Sequence, residues 1–366
     1  MRQVYLAATG QNRGKTTAAL GLLDGFLRRG LRTGFLKPVG QRTVIDHGVP
    51  ADEDAVLMHE TFGLLEPYSV MSPVHIPRGF TKSYIAGEVV EDLAAKVIAA
   101  HRHFLDYDVL LIEGTGHAGV GAVIDLSNAV VASMLGAPAV IVSEGGVGRP
   151  IDEIVLNAAL FARHGVHVAG AIVNKVDLDA KPGLARTLER GLARHGIPLL
   201  GVLPYRPLLS NPTLAMVLDA VHGETLNPGP DLDQVVGGVA IGAMEPEHML
   251  QRIGPRSLVI VPGDRTDVIR AIVDTHVNGH PSGNDALGLV LTGGYRPDAP
   301  VVDAIRRARL FATLVPEDTY VVASEMHDLL VKTHASDAGK IAEIKALVWE
   351  YLFIDRVLGV AADVTA

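Results

Sequence analysis

The sequence predicts an α/β protein with a mostly parallel sheet, followed by a smaller α/β domain and a C-terminal helix. Three observations predict it. Aliphatic runs of strand length alternate with helix-length segments from Val4 to Leu203, the signature of a parallel sheet covered on both faces. Lys37, Glu113, Glu144 and Asn174 stand at the C-terminal ends of those runs, where an open α/β sheet gathers its ligand crevice. The pattern then changes after a turn-rich stretch, Gly-Glu-Thr-Leu-Asn-Pro-Gly-Pro at 223–230, which reads as a linker. The domains read this way are 1–222, 230–335 and a helical tail, 336–366.

The first run, Val4 to Ala8, is a buried strand. It leads into Thr9-Gly10-Gln11-Asn12-Arg13-Gly14-Lys15-Thr16-Thr17 and then into a helix beginning Ala18-Ala19-Leu20. Strand, glycine-bearing loop, Gly-Lys-Thr and helix form a phosphate-binding P-loop. Gly10 and Gly14 let the backbone turn its N–H groups toward phosphate oxygens, and the helix N-terminus adds its dipole. Lys15 is placed to reach the β- and γ-phosphates and the Thr16 hydroxyl to hold Mg²⁺. Thr9 stands where the general pattern has a first glycine.

Arg28-Arg29-Gly30 closes the helix with cations and a glycine cap. Strand 33–36 runs into Lys37-Pro38-Val39-Gly40; Lys37 reads equally as a crevice lysine and as a surface one. Asp52-Glu53-Asp54 opens a helix through Met58, either as charge complementing the helix dipole or as a carboxylate for Mg²⁺. Segment 64–86 reads as an ordered loop, followed by helix 88–103. Tyr107 to Ile112 is a strand ending in Glu113-Gly114-Thr115-Gly116-His117. An aliphatic strand ending in an acid is the Walker-B layout, with the carboxylate meeting Mg²⁺ directly or through water. The glycines allow close backbone approach to a ligand, while His117 reads as a solvated or locally bonded loop histidine. Strand 138–143 ends in Glu144, helix 151–163 follows, and strand 166–173 ends in Asn174-Lys175-Val176-Asp177. Asn174 can meet a purine edge, and Asn-Lys-x-Asp is the guanine-reading pattern of GTPases, so GTP stands beside ATP here. Helix 182–195 and strand 198–203, closed by Pro204, complete this half.

Composition bounds the function. The chain has 366 residues, a formal net charge of −9 and no cysteine, which leaves no disulfide framework and no cysteine nucleophile or ligand. The acidic balance argues against nucleic acid as the main partner. The first strand begins at the N-terminus without a signal-peptide pattern, and no apolar run is long enough to span a bilayer. The expectation is a cytoplasmic protein with no membrane partner.

Thr9-x4-Gly14-Lys15-Thr16, Lys37-Pro38-Val39 and Ile112-Glu113-Gly114-x-Gly116 occur in order within residues 1–220. In these motifs the region resembles the dethiobiotin-synthetase branch of P-loop ATPases, in which Thr replaces the first Walker glycine. The resemblance implies ATP and Mg²⁺. It implies metal-binding carboxylates at Asp54 and Glu113, a phosphate or substrate role for Lys37, an adenine contact at Asn174, and a base-proximal Gly201-x-x-Pro204. A signature lysine of the ParA/MinD type would fall at Gly10. The stretch 40–50, with Gln41 to His47, matches no diaminopelargonate site.

Beyond the linker, strand 235–241, helix 246–253 and strand 258–261 lead to Gly263-Asp264-Arg265. Helix 268–277 and strand 287–291 lead to Thr292-Gly293-Gly294, and helix 300–308 and strand 310–315 follow. Residues 230–335 resemble the DRTGG domain. Asp264 and Arg265 either bind an anionic, nucleotide-like ligand or cap a helix and fix the turn. An ATPase of this branch joined to a DRTGG module resembles the N-terminal, regulatory part of long bacterial phosphate acetyltransferases, and the expectation from the resemblance is a free-standing version of that region. The tail from Ser336, its expected N-cap, to Leu358 is amphipathic, with Ile341, Ile344, Leu347, Val348, Tyr351 and Leu352 at helical spacing.

Three functions follow as expectations: a regulatory, homodimeric Mg·ATP-binding sensor coupled to the DRTGG module; an ATP-dependent ligase that activates a small carboxylate; and a GTPase-like switch. The cobyrinate amidating enzymes carry a cysteine glutaminase, which this chain lacks.

Overall fold

The computed structural model describes residues 1–364 apart from 179, 181, 230, 280–284 and 330. The chain forms two compact units, Met1–Tyr205 with Thr333–Ala366, and Arg206–Lys332.

In the first unit the aliphatic runs are strands: β1 (Arg2–Ala8), β2 (Thr33–Leu36), β3 (Val109–Glu113), β4 (Ala139–Glu144), β5 (Val168–Val176) and β6 (Leu199–Pro204). They form one sheet in the order β6-β5-β4-β1-β3-β2, all parallel. Strand β1 lies between β3 and β4, so the chain crosses from one side of it to the other after β3. That reversal opens a crevice at the carboxyl ends of the strands, beside the loop that follows β1. Helix α1 (Lys15–Leu27) starts at that loop, and helix α2 (Glu53–Phe62) is capped by Asp52, which accepts from the Asp54 N–H. Both faces of the sheet are buried, as continuous rather than alternating apolar strands require.

Several sequence expectations are corrected. Segment 64–86 contains the short helices Tyr68–Met71 and Phe80–Ile85 and the strand Val74–His75, which pairs in parallel with Val39–Gly40. These pieces are too short to show a period. The helix expected from residue 88 starts at Leu93, where Asp92 caps the Ala95 N–H. Helix Asn128–Met134, capped by Ser127, has no counterpart in the sequence reading. Stretch 40–50 carries a hairpin, Thr43–Asp46 with Val49–Asp52, turning at His47 and Gly48, both at positive φ. Strand β5 runs on to Val176, so Asn174 lies within it.

The second unit has a five-stranded sheet of β7 (Glu224–Asn227), β8 (Gly238–Ile241), β9 (Ser257–Pro262), β10 (Ala286–Thr292) and β11 (Phe311–Leu314), in the order β7-β11-β10-β9-β8. Only β7 is antiparallel. The expected linker is thus an edge strand, paired with residues more than eighty positions away; Pro230 lies outside the described residues. The helix Leu214–Val221, placed before that linker in the sequence reading, packs into this unit through Leu214, Val217 and Val221 against Leu258, Ile260 and Phe311.

The tail returns to the first unit as two helices, Ala338–Tyr351 and Ile354–Val360, and a short strand, β12 (Ala362–Asp363). Its N-cap is Asp337, not Ser336, and makes no side-chain capping bond. The break between the helices falls where Leu352 forms an antiparallel bridge with Gly201. Val348 packs where a side chain at Gly21 would stand and Ile354 does the same at Gly25, so the Gly-x-x-x-Gly face of α1 receives the tail. Strand β12 then pairs antiparallel with Arg2 and Gln3. Among the described residues no helix is long and apolar enough to cross a membrane.

Candidate functional site

The P-loop turns between β1 and α1 with Asn12 at φ 58° and Gly14 at φ 90°. A side chain at position 14 would begin 1.9 Å from Asn174 Nδ2, so glycine is required there by backbone conformation and by space. Asn174 donates from Nδ2 to the Arg13 carbonyl (3.2 Å) and Lys175 from Nζ to the Asn12 carbonyl (2.8 Å). The end of β5 thereby fixes the loop's carbonyls. Arg13 curls back over Gly10 and pairs with Glu144 at the end of β4, and Lys175 reaches the same carboxylate at 3.0 Å. Thr9 donates to Glu153 (2.7 Å), its hydroxyl 3.1 Å from Ser143 Oγ. Gln11 and Asn12 are exposed. Pro204 is buried at the end of β6, in register with Val176 of β5.

At the first turn of α1 three elements converge. Thr16 Oγ1 lies 3.1 Å from Asp54 Oδ1 and 3.0 Å from Glu113 Oε1. Lys37 Nζ donates to Asp54 Oδ2 (2.5 Å), to Glu113 Oε1 (3.3 Å) and to the Gly114 carbonyl (3.4 Å). The side chain of Glu113 is 0% exposed and that of Lys37 4%. Lys37 therefore faces the crevice. Glu113 keeps one carboxylate oxygen, Oε2, buried without a hydrogen-bond partner among the described residues.

The electrostatics follow from this burial. Burial pushes the Glu113 carboxyl up to about 7; Lys37 opposes the rise and Asp54 adds to it. Burial would lower Lys37, but Asp54 and Glu113 outweigh it and the ammonium is held above its usual range. Asp54 is likewise buried, yet Lys37 and the Thr16 hydroxyl bring its carboxyl below the usual range. Burial pushes Asp52 up. Lys15 is depressed by burial and by Lys37, and among the described residues it makes no ion pair. An anion at the loop would supply its counter-charge.

Asn128 organises the loop after β3. Its side chain accepts from the Tyr5 hydroxyl (2.8 Å) and the Thr115 N–H (3.0 Å) and donates to the carbonyls of Thr115 and His117. A side chain at Gly114 would collide with Asn128 and Tyr5; the close approach there is made by the protein's own side chains rather than by a ligand. His117 accepts locally from the Gly119 N–H (3.2 Å). Sequence reasoning missed Asn128, Glu153 and the P-loop bond of Lys175. The i,i+4 pair Arg149–Glu153 reads as a solvated helix pair, and no local pattern marks Asn128.

In the second unit the two halves of the other motif meet. Pro262 is in register with Thr292, and the Gly263 N–H donates to the Thr292 carbonyl (3.0 Å). Gly293 and Gly294 both have positive φ and donate to the Glu317 and Val315 carbonyls. Arg265 is bidentate to Asp267 at 2.9 and 3.0 Å and donates to the Met244 carbonyl (3.0 Å). The Thr292 hydroxyl lies 2.8 Å from that of Thr319. Asp264 is exposed. These bonds fix the turn.

A family described as an AAA domain matches residues 2–213, more than half of the chain and all six parallel strands of the P-loop sheet. The chain belongs to this AAA-domain family. In it the AAA domain is followed by a second match, a DRTGG domain over residues 216–329, which covers the second unit's sheet. Similar curated proteins include a phosphate acetyltransferase of Pseudomonas putida, 28% identical over 344 residues, covering 90% of this chain and 47% of that protein. Another, from Nitratidesulfovibrio vulgaris, is 26% identical over 355 residues, covering 94% and 49%. The AAA-domain chain thus spans about half the length of the curated relatives it matches. Among solved structures, the MinC:MinD cell division protein complex of Aquifex aeolicus overlaps 57% of this chain and 84% of that one, at 14% identity and a TM-score of 0.36.

Proposed function

We propose that the protein is a regulatory Mg·ATP-binding module that couples its nucleotide state to the DRTGG domain. The observation that carries this reading is the convergence of the Thr16 hydroxyl and the Asp54 and Glu113 carboxylates behind the P-loop. These are hard oxygen donors of the kind Mg²⁺ takes, and the partnerless Glu113 Oε2 supports a cation as the missing neighbour. Thr16, Asp54 and Glu113 would hold the ion, which neutralises phosphate charge when bound. Lys15 and the loop N–H groups would take the phosphates. Lys37, held charged between two carboxylates, would present a fixed cation at the same end. Asn174 would meet the adenine.

The curated relatives are phosphate acetyltransferases of about twice this span, so a role in controlling an acetyltransferase activity fits the family. A cytoplasmic homodimer, with an anionic metabolite at Asp264, Arg265 and the Thr292-Gly293-Gly294 turn, completes the proposal. Asn174 and Lys175 both grip P-loop carbonyls and belong to the Asn-Lys-x-Asp stretch at 174–177, so GTP is the comparison ligand.

Calorimetric titration of Mg·ATP and Mg·GTP, with ADP or GDP followed in the same samples, tests the reading. Binding of Mg·ATP with negligible turnover is expected. Steady ADP release, stimulated by a small carboxylic acid, would replace the sensor with a ligase; preference for Mg·GTP would replace it with a GTPase-like switch. Binding of neither would remove the nucleotide site altogether.

A further inference from the structure

The hairpin Thr43–Asp52 projects from the first unit with Ile45 71% exposed, and its residues match nothing in the nucleotide motifs. Its tip nonetheless brings a set of ligating side chains onto α2. Asp46 and His47 come from the hairpin, and His59 and Glu60 from the last turn of the helix. One ligand atom each of Asp46, His47 and Glu60 lie within 4.8 Å of one another. Tyr68, a buried residue on the next short helix, places its hydroxyl between them, 2.5 Å from Asp46 Oδ2, 3.4 Å from His59 Nδ1 and 3.5 Å from Glu60 Oε1.

His59 Nδ1 also stands 3.1 Å from Glu60 Oε1. A phenol has one proton to donate, and the oxygens of two carboxylates converge on it. His47 Nε2 stands 3.9 Å from Asp46 Oδ2, beyond hydrogen-bond reach. Two carboxyl groups and the His47 imidazole therefore share one small volume at the surface, with His47 and Glu60 exposed. A divalent cation can take carboxylate oxygens and an imidazole nitrogen together at this spacing.

We propose that Asp46, His47 and Glu60 form a binding site for a divalent transition-metal ion of the Zn²⁺ class, which ties the hairpin tip to helix α2. The donor set decides the class: an imidazole nitrogen beside carboxylate oxygens suits Zn²⁺, Co²⁺ or Ni²⁺, whereas Mg²⁺ takes oxygen alone. Three protein ligands leave a coordination position for water. The site is separate from the Thr16, Asp54 and Glu113 oxygens, which contain no nitrogen donor, and it does not depend on the nucleotide assignment. The hairpin's second strand ends at Asp52, the cap of α2, so the ion would tie the tip to the same helix that already holds the hairpin's base.

The test uses the full chain without nucleotide. Zn²⁺ is titrated calorimetrically, and Co²⁺ is used as a probe whose visible absorption reports nitrogen and oxygen ligation. The variants are His47→Asn, which tolerates the left-handed turn conformation but removes the imidazole, and Glu60→Gln; circular dichroism checks their fold. One tight equivalent is expected, with Co²⁺ displaced by Zn²⁺. Each variant should weaken binding by on the order of a hundredfold, since even an outer-shell partner of a metal ligand is worth ten- to a hundredfold. Binding that persists unchanged in both variants, or no binding to the parent chain, overturns the assignment.

Discussion

The side-chain amide of Asn174 occupies the space in which a side chain at Gly14 would have to begin, and holds the neighbouring Arg13 carbonyl at 3.2 Å. The last strands of the sheet thus set the shape of a loop encoded more than 150 residues earlier. Gly14→Ala would meet Asn174 at 1.9 Å and strain a φ of 90°. Left-handed backbone alone costs a non-glycine residue about 1–2 kcal/mol. The variant should melt several degrees lower and lose Mg·ATP binding in calorimetry. Asn174→Ala relieves the clash but not the backbone strain, so the double variant should recover only part of the stability.

Lys15→Ala should weaken Mg·ATP binding by at least about tenfold. A charge-assisted bond to phosphate is worth roughly 1.5–3 kcal/mol, about ten- to a hundredfold in affinity. The unliganded protein should melt no lower than the parent, because burial and Lys37 already disfavour the Lys15 ammonium. Undiminished Mg·ATP affinity in this variant would refute the P-loop assignment.

Glu113 should make nucleotide binding depend on pH. Its carboxyl is raised by burial from 4.5 to about 7 in the unliganded protein. The folded state then holds a proton that the unfolded chain has released, so this group's contribution to stability is complete below about 4.5 and is lost as pH rises through about 7. A bound cation favours the carboxylate and expels that proton. Calorimetry at about pH 6 in buffers of different ionisation enthalpy should show proton release on Mg·ATP binding, fading above about pH 7. Glu113→Gln should abolish the release, spare binding and reduce any Mg²⁺-dependent turnover.

Gly21 is the seat of the tail. An added Cβ would lie 2.3 Å from Val348. Overpacking of this kind costs about 1–3 kcal/mol, partly offset by the roughly 1 kcal/mol that alanine gains over glycine in a helix. Gly21→Ala should lower the melting temperature, and Gly21→Ala with Val348→Ala should be less destabilised than the sum of the two single changes. Strict additivity would show that the tail does not pack there.

Much of the first unit was legible because its signals are local. A contiguous stretch of nine residues carries the P-loop pattern, and buried parallel strands declare themselves as unbroken aliphatic runs. Glu113 was readable for the same reason: an acid closing such a run has few other places to be. The strand Glu224–Asn227 was not legible, being short, polar at all but Leu226 and paired only with distant residues. Nor was the hairpin at 43–52, whose turn uses His47 where glycine or asparagine is the usual sign.

By itself the sequence determined the α/β class, the P-loop, and the order of the six parallel strands of the first unit along the chain, with Glu113 and Glu144 closing two of them. Tertiary structure alone decided their partners. It placed Lys37 between Asp54 and Glu113, set Arg13 on Glu144 and Thr9 on Glu153, and made Asn128 the support of the Gly114–His117 turn. It also returned the tail to α1 across the whole second unit. Strand and helix formation depend on the period of neighbouring residues, whereas these pairings join atoms separated by tens to hundreds of positions. Which acid meets which cation is fixed only when the sheet order brings the strand ends together.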